Sequence, residues 1–501
     1  MELDRRSLMA AAALLPAAAV AQSSVSPDAK PAPQPAPAGS PVTDAFVGFA
    51  AKLRYEDVPA EAVHACKRLL LDTLGCTLAG WQSNKGRLAA GLMQELGGEP
   101  KALVIGTKRR IAPTNAAFAN AELTNGLDYD AIPHLPPVVI PPLLAAAEAS
   151  AKSGRDLIRG VIIAYEIGAR LSGASSQMAA AILETNTTPE VFDINNEAIM
   201  ASAAGIAAIN GLDAQGIAFA IGLGGYYCPP QVAHDWETGT PKSDVKYTPV
   251  GWVAQGAVTA AMLAGTGFTS NPIVLDGPAG FPRFYGWPKW RAERAVAGLG
   301  SEWRVLNPDF KPYAACRYIH SRIDALREAM AKGNVKPGTV DRIYSLGAPF
   351  VANPDQRQIH TQQDAQFSIP YMLALVALGI PLDARCQRAE LLNDPKVHAM
   401  MAKIEWGTHP RTAETKRADP RSFIANAEVT SGGSKSFAEV WAASGTSALP
   451  DRRINDADLE RKFLANAGTR LPATQARKLA DMIWQLEKVA STRQLTALLE
   501  A

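Results

Sequence analysis

The chain has 501 residues, 47% of them apolar and 20% charged, with a formal net charge of +2. That is ample for large hydrophobic cores and allows on the order of two to four domains. No basic tract carries interleaved aromatics, which argues against nucleic acid as a partner. The five cysteines (Cys66, Cys76, Cys228, Cys316 and Cys386) are scattered and form no CxxC, so spacing defines neither a disulfide framework nor a zinc site.

The chain opens with MELDRRSLMAAAALLPAAAVAQSS. Arg5 and Arg6 precede an apolar run from Leu8, and Ala19-Val20-Ala21 is a small-x-small cleavage site. This predicts a secretory signal over residues 1–21, with the paired arginines pointing to the twin-arginine route and a periplasmic or otherwise exported protein. Asp4 stands where Ser or Thr is usual in such signals, and Ala10 where Lys is common. The plain alternative is an N-terminal helix, but the run is Ala-rich and too short to span a bilayer. Residues 22–41, rich in Pro, Ala and Ser, offer nothing to bury and are expected to be a disordered linker. No later stretch reaches the length of a spanning helix, so no membrane partner is expected after signal removal.

From Asp44 to about Gly298 the pattern is helical. AVHACKRLLLDTLGCTLAG repeats apolar residues at helical spacing and stops at Gly80, and Cys66 and Cys76 read as core residues on it. The segments that follow are rich in Ala and Gly, which lets helix axes approach closely. This predicts a packed helical domain over residues 42–298. The texture changes near Ser301. VDRIYSLGAPF, MAKIEWGTH and SFIANAEVTSG alternate like strands, with helical patterns at Ser321–Lys332, Gln366–Leu378 and Pro395–Met401. Residues 299–443 therefore read as a smaller α+β domain. Amphipathic helices return from Asp456, and residues 444–501 are expected to pack back onto the helical domain, making the α+β part an insertion. The fold class expected is mainly α: a large all-helical domain plus a smaller α+β domain inserted before the C-terminal helices.

Clusters of chemistry-bearing side chains stand out. In NGLDYDAIPHLPP, Asp128 and Asp130 end an apolar helix and His134 follows on a proline-pinned loop; a solvated helix end with an incidental His is the bland alternative. In SDVKYTPVGW, Lys246 and Tyr247 precede an Ala/Gly helix, where a Lys opposes the helix dipole and suits anion binding or a lowered pKa. An ordinary exposed Lys is the alternative there. His234, in QVAHDWETG, reads as structural or surface. In KPYAACRYIHSRIDA, Lys311, Arg317 and His320 would form a cationic mouth at a helix start, a good carboxylate site. A His320–Asp324 surface pair is the alternative. No HxxxH or HExxH spacing is present, so no metal is expected. These clusters suit a polycarboxylate and proton transfer beside a carboxylate.

LLLDTLGCTLAG (69–80), NAELTNGLDYDAIPHLPPVVIPPLLAAAE (120–148), SDVKYTPVGWVAQGAVTAAMLA (243–264), VLDGPAGF (274–281), KPYAACRYIHSRIDA (311–325) and AQFSIPYMLALVAL (365–378) together resemble the MmgE/PrpD family. That family includes 2-methylcitrate dehydratase, cis-aconitate decarboxylase and an iminodisuccinate epimerase. The resemblance implies a helical domain plus an α+β lid with the active site between them, a homodimer, and chemistry without a cofactor. Carried residue by residue, it implies catalytic roles for Asp128, His134, Lys246, His320 and Tyr371. Lys311, Arg317 and Tyr247 are expected to bind substrate. Two departures matter. Asp130 is followed by Ala131 in a shortened loop, and Phe192 or Asp193 falls where an active-site His is expected.

The function expected is a dehydratase-like lyase acting on a small di- or tricarboxylic acid by alpha-proton abstraction. An epimerase or a decarboxylase needs the same parts, and an exported carboxylate-binding protein without turnover is the alternative from another class.

Overall fold

The computed structural model describes residues 41–175, 191–287, 290–349, 356–419 and 422–501. Except for Pro41, the expected signal and linker lie outside the described residues. Helices dominate up to Gly265: α1 (Pro41–Lys52), α2 (Ala60–Ala79), α3 (Asn84–Leu96), α4 (Pro113–Asn125), α5 (Pro136–Ala149), α6 (Gly154–Ser175), α7 (Ala198–Ile209), α8 (Ala214–Tyr227), α9 (Ala233–Thr238) and α10 (Val250–Gly265). A short hairpin, β1 (Ala102–Leu103) with β2 (Arg110–Ile111), joins α3 to α4. Small residues do what their composition predicts. Where α6 crosses α7, a Cβ on Gly205 would lie 2.7 Å from the Gly160 carbonyl oxygen, so only glycine permits that approach.

One hydrophobic core runs through these helices. It also takes in Leu459 and Phe463 of α14 (Asp456–Ala467), Leu479 and Ile483 of α15 (Ala473–Trp484) and Leu495 of α16 (Thr492–Ala497). Helix α14 lies along α2, where Lys67 Nζ also reaches the Trp484 carbonyl at 2.9 Å.

A second core lies in the α+β part, where α11 (Arg317–Lys332), α12 (Gln362–Gln366) and α13 (Ile369–Ala377) pack with a mixed sheet. Its strands are β3 (Arg342–Gly347), β4 (Ile404–Thr408), β5 (Ala425–Ser431) and β6 (Ser434–Val440), in the order β4-β3-β5-β6, with β3 and β4 parallel and the other pairs antiparallel. Ile319, Ile323 and Leu326 of α11 meet Ile343, Val429 and Val440 of the sheet. Leu127, Tyr129, Trp236 and Tyr247 from the helical part join this second core, so its edge is where the expected site residues gather.

Two details differ from the sequence pattern. Strand β6 had no apolar alternation strong enough to show. It forms because Gly432 and Gly433, both at positive φ (57° and 78°), turn the chain back on β5. The helix expected over 366–378 begins three residues later, at Ile369, and Gln366 instead ends the short α12. Pro370 has no N–H to donate to the Gln366 carbonyl, and Ser368, with extended backbone, caps α13 by accepting the Tyr371 N–H at 3.1 Å.

Candidate active site

Segments far apart in the chain converge on Asp128. Helix α4 ends at Asn125, and three residues later Asp128 takes a left-handed φ of 53°. Lys246, just before α10, is at φ 60°. Left-handed backbone is costly for a side chain with a Cβ, more for Lys than for Asp. Two such residues facing each other are held there by their surroundings. Lys246 Nζ donates to Asp128 Oδ1 at 2.8 Å and to the Asn125 carbonyl at 3.1 Å. Lys311 Nζ donates to Asp128 Oδ2 at 2.8 Å and to the Asp128 carbonyl at 2.9 Å. The Tyr247 hydroxyl donates to Asp128 Oδ1 at 3.0 Å. All are buried. Burial by itself would raise the Asp128 carboxyl, but Lys246, Lys311 and His134 outweigh it and hold the group well below the usual carboxylate range. Burial pushes the Lys246 ammonium down, and Asp128 only partly offsets this.

His134 Nδ1 lies 2.6 Å from Asp130 Oδ2, and its Nε2 lies 3.9 Å from Asp128 Oδ1. In a neutral ring the carboxylate fixes the proton on Nδ1, which leaves the Nε2 lone pair toward Asp128. Burial raises the Asp130 carboxyl, yet His134 and Lys311 bring it below its ordinary value. The His134 side chain is 13% exposed against 1% or less for Asp128, Lys246 and Lys311, so it is the member of the cluster that solvent reaches. Tyr247 forms a wall beside it, 5.2 Å from the His134 ring and 5.6 Å from Trp236, which in turn stands 4.9 Å from Phe367.

The loop is held by its backbone as well. Successive carbonyls each accept a side-chain hydrogen bond from a different part of the chain. Asn125 accepts from Lys246, Gly126 from Gln366 Nε2 at 2.9 Å, Leu127 from Gln387 Nε2 at 2.8 Å, Asp128 from Lys311, and Tyr129 from Lys462 Nζ at 2.8 Å. Lys462 Nζ also donates to Asp72 Oδ1 at 2.7 Å. The buried carboxylates of Asp72, Asp128 and Asp130 are thus matched by the ammoniums of Lys246, Lys311 and Lys462. An ammonium has three N–H donors. Lys246 and Lys311 each use two, leaving each one N–H without an acceptor among the described residues.

Ligand atoms of Asp128, Asp130 and His134 lie within 4.8 Å of one another, a spacing that a cation can use. The donor set does not fit one. Both Asp128 oxygens already face ammoniums at 2.8 Å, and a divalent ion would sit against two fixed positive charges.

Other expected site residues are placed differently. Arg317 donates to the Ser444 carbonyl at 2.7 Å, to Thr446 Oγ1 at 2.7 Å and to Asp309 Oδ2 at 3.1 Å, so its guanidinium ties chain segments together rather than opening toward a substrate. His320 is fully buried, with Nε2 at 3.1 Å from the Ala315 carbonyl and Nδ1 at 3.4 Å from Arg317. Burial, with Arg317 and Lys311 adding, pushes it well below the usual imidazole range, so the ring is neutral. The expected cationic mouth reduces to Lys311. The alternative His320–Asp324 pair does not form either, since Asp324 accepts from the Tyr313 hydroxyl and the Ser444 N–H, both at 2.6 Å. The Tyr371 hydroxyl donates to the Cys386 carbonyl at 2.7 Å, within the second core and not to the Asp128 cluster. His234 sets its ring against the edge-on Phe192 at 6.4 Å. Phe192 is buried, and Asp193 accepts from the Asn196 N–H at 2.9 Å and the Tyr285 hydroxyl at 3.2 Å and pairs with Glu197, so neither residue supplies an imidazole, although the His234 ring lies against Phe192.

Sequence reasoning missed Gln366, Gln387, Lys462 and Glu237. Glu237 follows Trp236 on α9 and is mostly buried; burial pushes its carboxyl up to about 8, with Lys242 opposing and Asp128 adding. A carboxylate directly after a wall aromatic was the available signal. The other three side chains carry none.

The MmgE/PrpD N-terminal domain matches residues 44–291, and the MmgE/PrpD C-terminal domain matches residues 313–488. A cis-aconitate decarboxylase-like protein of Aspergillus oryzae is 24% identical over 494 residues, covering 91% of this chain and 97% of its own. The cis-aconitate decarboxylase of Homo sapiens is 23% identical, covering 92% of this chain and 94% of its own, and that of Aspergillus terreus is 23% identical, covering 92% and 96%. With both family domains matched in order over most of the chain, this chain belongs to the MmgE/PrpD family.

Proposed function

We propose that this protein is a lyase of small polycarboxylic acids that moves a proton at a carbon next to a carboxylate. The observation that carries this reading is the buried Asp128 carboxylate between the Lys246 and Lys311 ammoniums, each with an N–H left over. In this reading those N–H groups receive the carboxylate that gathers charge in a carbanion-like transition state. His134, oriented by Asp130, exchanges the proton. The names of the relatives favour decarboxylation over dehydration: the carbon–carbon bonding pair stays on carbon, carbon dioxide leaves, and a proton from one of these groups takes its place. Dehydration and epimerisation use the same parts.

A second reading, a carboxylate-binding protein without turnover, is favoured by Phe192 standing where an imidazole was expected. Proton NMR of the purified protein with di- and tricarboxylates in D₂O separates them. Deuterium entering carbon, with carbon dioxide or water lost or with the skeleton intact, supports proton-transfer catalysis and names the reaction. Line broadening of a ligand with no exchange supports the binding reading.

The same reading includes a homodimer and an exported protein. For the dimer, Leu88, Leu92 and Leu96 form a stripe on α3 that is 52–61% exposed. Trp252 and Met262 are likewise about half exposed on α10, and both helices pack on α4. In this reading the α3 stripe is the interface. For export, an N-terminal sequence beginning at Gln22 in the exported fraction is the expected result.

A further inference from the structure

We propose that Lys462, on the first C-terminal helix, is a positioning residue of the Asp128 site, acting through the carbonyl and the ring of Tyr129. The proposal rests on the reading that the Asp128 cluster is where substrate reacts.

Tyr129 lies between two carboxylates with different tasks. Asp128 faces Lys246 and Lys311, while Asp130 faces His134. Rotation of the peptide at Tyr129 would therefore move both side chains at once. The backbone at Asp128 is left-handed, so the loop is not kept in place by its own conformational preference. Lys462 reaches this point from α14. Its Nζ donates to the Tyr129 carbonyl at 2.8 Å and sits 4.0 Å from the centre of the Tyr129 ring, while the Tyr129 hydroxyl donates to the Pro312 carbonyl at 3.3 Å, next to Lys311. One residue thus spans from α14 to the segment that delivers Lys311. The ammonium is buried, with 7% of the side chain exposed, and Asp72 on α2 is its counterion. Asp72 keeps one buried oxygen without a hydrogen bond among the described residues. Burial raises the Asp72 carboxyl and Lys462 opposes that rise, so each member of the pair depends on the other.

The competing account is that Lys462 does nothing but neutralise Asp72. A charge-balanced pair of variants tells the two apart. K462M alone strands a buried carboxylate and risks unfolding the protein, whereas D72N/K462M removes both charges together. D72N alone keeps Lys462 on Tyr129. Hydrogen exchange of the peptide spanning residues 125–134 is measured in each variant, alongside turnover of whichever carboxylate the wild type transforms. The expected result is that D72N/K462M folds with a near-parental melting temperature yet loses protection in this peptide. Its kcat should fall on the order of 10²-fold, as for an ångström-scale misplacement, with KM little changed. D72N and K462R should keep most of the protection. Wild-type exchange in D72N/K462M, or a 125–134 peptide already unprotected in the parent, overturns the proposal. If the parent transforms no carboxylate, the reading of function falls, while the exchange data still decide the role of Lys462.

Discussion

Asp128 shows how far a single carboxylate depends on its neighbours. Its lowered pKa contributes stability above the ordinary value of 3.8, and that contribution is lost as the pH falls through the folded value. Lys246→Met removes one of its two cations. The acid-unfolding midpoint should therefore move to higher pH, and turnover should fall on the order of 10²–10⁴-fold. The loss of stability should stay below the roughly 3–5 kcal/mol of an unpaired buried charge, because Lys311 remains. Glu237 has the opposite sign. Between 4.5 and about 8 the folded protein holds a proton that the unfolded chain has released. Its stabilising contribution is complete below 4.5 and is lost as the pH rises through about 8. Glu237→Gln removes that loss, so its melting temperature relative to the parent should climb from about pH 5 to about pH 9. Tyr371→Phe should cost about 1 kcal/mol for the bond to the Cys386 carbonyl and leave turnover unchanged; a collapse of turnover would return Tyr371 to the site.

The elements place these residues through close approaches that tolerate little change. Helix α2 ends at Ala79, and a Cβ on Gly80 would stand 1.9 Å from the Leu123 carbonyl oxygen on α4. The clash is with backbone, so α2 and α4 would have to separate. Gly80→Ala should cost roughly 1–3 kcal/mol in a denaturant titration. It should also lower turnover, because α4 delivers Asn125 to the cluster. Helical periodicity made α2, α4 and α10 legible from sequence, as apolar side chains recurring on one face need only local spacing. Strand β6 was not legible. Its residues are mostly polar, and its place is set by pairing with β5 across the Gly432–Gly433 turn.

For the whole molecule, the two cores meet where the Asp128 loop, the Lys311 segment and α14 come together. The exposed Leu stripe on α3 belongs to this scale, as the face on which the proposed homodimer would form. Leu92→Glu should convert a species of twice the chain mass to one of the single mass in size-exclusion chromatography with light scattering, with little change in melting temperature. An unchanged mass would remove the stripe from the interface.

The residue types and local spacing in the sequence were enough to single out Asp128, His134, Lys246 and Lys311 and to separate helical from strand-bearing segments. They were enough because periodicity, prolines and helix starts act over a few residues. Which charges cancel was decided only in three dimensions. Lys246 meets Asp128 across 118 positions, Lys311 across 183 and Lys462 meets Asp72 across 390. Arg317 looked free for substrate and is tied to Asp309, Ser444 and Thr446, and His320 looked cationic and is neutral. Ionisation depends on burial and on the nearest opposite charge, and both are properties of how distant segments pack.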